Sequence, residues 1–99
     1  MAEEAVILVG KKPLMNYVLA ATMPLADGKK VVLKARGRAI SRAVDIAEII
    51  RRRFVQDAVY EKINIGTEEG RIGTDNRPRN VSTIEIVVSA PSGKSKKSK

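Results

Sequence analysis

The period of the hydrophobic positions changes along this chain, and each change marks an element. Ala5-Val6-Ile7-Leu8-Val9, closed by Gly10, is continuously apolar, the pattern of a strand buried on both faces or covered by helices. Lys11-Lys12-Pro13 follows, and proline is favoured at the first helical position, so a helix is predicted from Pro13. Leu14, Tyr17, Val18, Ala21 and Leu25 form its core face, and Pro24 is expected to end it. Met15, Leu19 and Met23 lie off that face, so the helix is apolar nearly all round and should touch a second surface. Asp27-Gly28 then turns the chain into a strand over 29–35.

A second helix is predicted over 38–54, with Ile40, Ala43, Val44, Ala47, Ile50 and Phe54 on one face at helical spacing. Arg42, Asp45, Glu48 and Arg52 lie opposite, and Ile46 and Ile49 sit at the flank. That flank fits a subunit interface or partial burial in the monomer equally well. Residues 59–65 alternate as a strand and 81–88 form another. The stretch 66–80 between them is rich in Gly, Asp, Asn, Arg and Pro and reads as the loop of a long hairpin, longer than compact domains usually carry. The order is β-α-β-α-β-β in one domain over 1–90, with a flexible basic tail over 91–99.

Composition narrows the chemistry. Of 99 residues, 19 are Lys or Arg and 11 Asp or Glu, a net charge of +8 that suggests a polyanionic partner, nucleic acid before an anionic membrane surface. The excess is local. Positions 34–53 hold seven cations against two anions, whereas positions 54–93 hold four against six. Without Cys or His there is no disulfide, thiol chemistry or usual zinc site, and the scattered carboxylates suggest neither a metal cluster nor catalysis. No cofactor is implied, and the expectation is a protein that is not an enzyme. No apolar run is long enough to span a membrane, and Glu3-Glu4 is unlike the basic start of a signal peptide, so a cytoplasmic protein is expected. Aromatic residues are only 3%, too few for single-strand binding by base stacking.

The concentrated charge sits at an unusual place. Lys34, Arg36, Arg38 and Arg42 surround Gly37, across the junction of the second strand and the second helix. A helix N-terminus carries partial positive charge and unpaired N–H groups, so cations oppose it unless an external anion such as phosphate completes the site. A right-handed β-α-β crossover brings both strand-to-helix turns to one sheet edge, which makes Lys11 and Lys12 neighbours of this cluster. Taken alone, the lysine pair reads as solvated charge; its place beside this cluster makes a phosphate contact an equally good reading. Arg71, Arg77 and Arg79 in the hairpin are offset by Glu68, Glu69 and Asp75, so that segment is either an ordinary loop or an arm along a groove.

Three blocks carry a resemblance: Gly10-Lys11-Lys12-Pro13-Leu14-Met15-Asn16-Tyr17-Val18-Leu19, then Lys34 through Asp45, then Asn80-Val81-Ser82-Thr83-Ile84-Glu85-Ile86. Together they closely resemble the Alba family of archaeal chromatin proteins. The resemblance implies an α/β (α+β) two-layer sandwich with a mixed four-stranded sheet and a long hairpin arm. It implies a homodimer on double-stranded DNA with little sequence preference, chromosome-associated, able to condense DNA and also to bind RNA. Lys11, Lys12, Arg36 and Arg38 would face the nucleic acid, with Arg71, Arg77 and Arg79 on two arms. Lys11 or Lys12 would be an acetylation site, and Phe54 a contact between neighbouring dimers. A paralogue is a possible heterodimer partner. Two rivals stay open: a protein acting mainly on structured RNA, and an adaptor binding a protein through Met15, Ile46 and Ile49.

Overall fold

The computed structural model describes residues 4–71 and 78–90. The elements are β1 (Glu4–Leu8), α1 (Leu14–Ala26), β2 (Lys30–Arg36), α2 (Ala39–Ile49), a single π-turn (Ile50–Phe54), β3 (Val59–Arg71) and β4 (Pro78–Ser89). They form one sheet in the order β1-β2-β4-β3, with β1 and β2 parallel and β4 antiparallel to both its neighbours. Strand alternation sends Val31, Leu33 and Ala35 of β2 and Ile86 and Val88 of β4 to one face. There they pack with Val18, Ala21 and Leu25 of α1 and Ala43, Ile46 and Ala47 of α2. The result is a two-layer α+β fold on a mixed four-stranded sheet.

The other face has no helical layer, and this corrects the expectation for the first strand. Ala5 and Ile7 pack toward the helices, but Val6 is exposed and Leu8 is 71% exposed. A continuous apolar run does not show which of its faces lacks a cover.

Both prolines of α1 act differently from expectation. Pro13 is the N-cap, with φ −56° and ψ 144°, so the helix begins one residue later. Pro24 lies inside the last turn and does not stop it. The stop comes from Gly28, which takes φ 83°. Its N–H bonds the Leu25 carbonyl at 3.1 Å, and the Lys29 N–H bonds the Pro24 carbonyl at 2.9 Å. This pair of bonds is the Schellman closure, and its left-handed residue suits glycine.

The buried face of α2 is Ala43, Ile46, Ala47 and Ile50, rotated from the face predicted. Val44 and Phe54 are exposed, while Ile46, expected at the flank, is fully buried. An adaptor surface built on Ile46 is therefore absent from the folded protomer. At Ile50–Phe54 the helix widens, and the Val55 N–H reaches the Ile50 carbonyl at 2.7 Å, five residues back. Phe54 leaves the core face there.

The largest difference lies in the hairpin. Pairing between β3 and β4 continues past Gly66 to Gly70 with Arg79 and Arg71 with Pro78, so most of the predicted loop is strand. The ladder is made of main-chain bonds and runs on where no apolar alternation announces it. Thirteen residues span about 40 Å at the usual strand rise. The protein accordingly measures 58 × 27 × 16 Å.

Candidate nucleic-acid interface

Parallel pairing of β1 with β2 delivers both strand-to-helix turns to one edge of the sheet. The first turn is Val9 to Pro13, and the Val9 N–H bonds the Lys34 carbonyl at 2.9 Å. The second is Gly37-Arg38, where Gly37 takes φ 58° and its N–H bonds the Ser82 carbonyl at 2.8 Å. A Cβ at Gly37 would lie 3.6 Å from Val81, so its positive φ, not crowding, calls for glycine. Neither helix has a side-chain cap or an acidic residue in its first turn. Lys11, Lys12 and Arg38 are exposed and, among the described residues, have no carboxylate partner. Three cations thus flank two uncapped helix N-termini, an arrangement that favours an external anion.

The other predicted cations are placed differently. Lys34 and Arg36 belong to β2 and point from its uncovered face, not from the turn. Lys34 pairs with Glu85 at 3.4 Å and Arg36 with Glu68 at 3.4 Å. Lys30 pairs with Glu61 at 2.8 Å on that same face. This bond is the main cause of a raised Lys30 ammonium and, with the Ser89 hydroxyl, of a lowered Glu61 carboxyl. Arg42 in the first turn of α2 is bound to backbone: its Nε donates to the Gly10 carbonyl at 2.9 Å and its Nη2 donates to the Lys12 carbonyl. Arg71 closes β3 and Arg79 follows Pro78 in β4; their side chains, all of Arg77 and the tail over 91–99 lie outside the described residues. Phe54 is 45% exposed at the end of the π-turn.

Two features go beyond what the sequence pattern predicts. Tyr17, which helical spacing puts on the core face, is 9% exposed, but its hydroxyl accepts the Gly10 and Lys12 N–H groups at 2.9 and 3.2 Å. Tyrosine in place of phenylalanine on a core face is the available signal, because its buried oxygen needs a partner. The second feature is the cluster around Glu48. The Tyr60 hydroxyl donates to Glu48 Oε2, while Arg52 and Arg51 donate to Oε1 at 3.0 and 3.4 Å. The Tyr60 bond, then Arg52, pulls the Glu48 carboxyl down to about 2, and burial raises the Tyr60 phenol. The Arg51 guanidinium lies 5.6 Å from the Tyr60 ring centre, which ties the π-turn to β3.

Apolar side chains are also left uncovered. Ile63 and Ile65 point to the helix side of the sheet, but the hairpin outruns the helices and Ile65 is 82% exposed. Met15, Leu19 and Met23 form an exposed stripe on α1. Among the described residues no group of His, Cys, Asp or Glu could hold a metal ion, and no helix is long and apolar enough to cross a membrane.

Comparison with known proteins places these features in a family context. Residues 5–67 match the family model described as Alba. The "DNA/RNA-binding protein Alba" of Picrophilus torridus is 54% identical over 92 residues, covering 89% of this chain and 98% of that protein. The protein of the same name from Methanocella arvoryzae is 52% identical over 93 residues, covering 92% and 95%. The solved structure of Alba from Thermoplasma volcanium superposes with a TM-score of 0.77 at 48% identity, covering 85% of this chain and 98% of that one.

Proposed function

Because the chain belongs to the Alba family, we propose that it is a non-enzymatic chromosomal protein that binds double-stranded DNA with little sequence preference, coats and compacts it as a homodimer, and also binds RNA. The observation that carries this reading is the sheet edge where Lys11, Lys12 and Arg38, unpaired among the described residues, flank two uncapped helix N-termini. Cations beside free helix N–H groups suit a phosphate backbone, the part of a duplex that carries no sequence information. The names of the archaeal relatives include both DNA and RNA, which supports either ligand.

The homodimer reading rests on the uncovered helix side of β3. Ile63 and Ile65 are exposed there although they point to the helix side of the sheet, and a second copy related by two-fold symmetry would cover them. Two hairpins would then extend from one dimer as arms, each carrying Arg71, Arg77 and Arg79 along the duplex. Phe54 would contact a neighbouring dimer on DNA. Acetylation of Lys11 or Lys12 would remove one phosphate-facing charge and weaken binding.

Competition at physiological salt tests the reading, with labelled duplex DNA challenged by unlabelled duplex or by structured RNA. Displacement by duplex of any sequence is expected. A protein that releases the duplex only to RNA is an RNA-binding protein, and one that never binds the duplex contradicts the proposal.

A further inference from the structure

Arg42 has the charge and the location of a phosphate contact, yet its guanidinium is engaged by the backbone of the loop that carries the lysine pair. From outside, Arg42 donates to the carbonyls of Gly10 and Lys12. From inside, the Tyr17 hydroxyl accepts the N–H groups of the same two residues. Both backbone polar groups of Gly10 and of Lys12 are thus held by side chains from two different helices, with Lys11 suspended between them. Arg42 lies in the first turn of α2, whose N-cap is Arg38, so the same bonds fix the lysine loop relative to the second cationic turn.

We propose that Arg42 and Tyr17 are positioning residues that set the 10–12 loop in its binding geometry, and that Arg42 acts through Lys11 and Lys12, not by touching phosphate. This rests on the nucleic-acid-binding reading above. A loop ordered before binding spares the complex the entropy of ordering it. Arginine is suited to the role because its planar fork reaches two carbonyls at once, whereas lysine is a point charge. Tyrosine is suited because one buried oxygen accepts both N–H groups.

The test measures binding of Tyr17→Phe, Arg42→Lys and Arg42→Gln to a mixed-sequence 20-base-pair duplex by fluorescence anisotropy over a range of salt. Tyr17→Phe removes no charge, yet affinity should fall roughly tenfold, about the cost of re-ordering one residue of backbone. Arg42→Lys should fall comparably although it keeps its charge. In both, the slope of log affinity against log salt should match the parent chain, because the phosphate contacts remain. A direct phosphate contact gives the reverse: Arg42→Lys and Tyr17→Phe bind like the parent, and only Arg42→Gln weakens, with a slope shallower by about 0.9. That pattern overturns the proposal. Amide exchange in the unbound proteins supplies a second readout. The Gly10 and Lys12 N–H groups should exchange faster in Tyr17→Phe and Arg42→Lys while core amides such as Leu33 stay protected; unchanged loop exchange also overturns it. If the parent chain binds no duplex, the functional reading fails, and the exchange data still decide whether the loop is latched.

Discussion

Arg36 and Glu68 form an ion pair, Nη1 to Oε1 3.4 Å, although a whole strand, β4, lies between the strands that carry them. The pair joins the end of β2 to the hairpin arm across the uncovered face of the sheet. It also gives a cation expected to face phosphate an internal partner in the unbound protein. Both side chains are more than half exposed, so the pair contributes little to stability, roughly 0–1 kcal/mol. Glu68→Gln should therefore leave the urea midpoint nearly unchanged and raise duplex affinity severalfold at low salt. Unchanged affinity would mean that Arg36 does not meet the nucleic acid.

Alanine at Lys11, Lys12 or Arg38 should weaken binding to every duplex alike. Each substitution should also flatten the salt dependence by about 0.9 in the log–log slope, one phosphate contact at a time. Titrations of two unrelated sequences check this, and a loss confined to one sequence would point to base readout.

The dimer reading makes Ile65 a sensitive position, since it is 82% exposed in the protomer. Ile65→Glu should give a monomer by light scattering at micromolar concentration. Burying an isoleucine is worth about 1.5–3 kcal/mol, and a two-fold interface loses it twice. A variant that keeps the parent mass places the interface elsewhere.

Acid should loosen the end of α2. The Glu48 carboxyl lies at about 2 instead of 4.5, chiefly because the Tyr60 hydroxyl donates to it. A carboxylate lowered by folding stabilises the fold above its unfolded value. That contribution is lost as pH falls from about 4.5 through about 2. Glu48→Gln should lose less stability than the parent over that window, as read from urea midpoints at pH 7 and pH 3. Parallel losses would show that the carboxylate is not held by this cluster.

Ile46→Ala tests the rotated face of α2. Ile46 is fully buried among Ala43, Ala47 and Ile50, so its truncation should cost about 2–5 kcal/mol in urea unfolding. A flank position would cost far less.

The order of elements was legible because β-branched runs and helical spacing alternate cleanly between Ala5 and Val88. Gly37 and Gly28 were legible as turns, and both carry positive φ. What was not legible depends on partners distant in sequence. The sequence shows strand only to Ile65 and makes 66–80 the hairpin's loop, because a main-chain ladder through Thr67, Glu68 and Glu69 leaves no apolar trace. Arg36 falls just past the strand predicted over 29–35, although its spacing of two from Lys34 around Ala35 is a strand's alternation. β-α-β geometry predicts the convergence of the two cationic turns, and Arg42 bridges them. Its use of backbone acceptors is not legible in the sequence, since carbonyls of Gly10 and Lys12 have no signature in side-chain chemistry.

The most direct test of phosphate-driven, sequence-independent binding is duplex affinity over salt from 50 to 200 mM on several unrelated sequences. The account predicts a steep linear fall of log affinity with log salt, at the same slope and nearly the same affinity for every sequence. A salt-insensitive affinity for one defined site would contradict it.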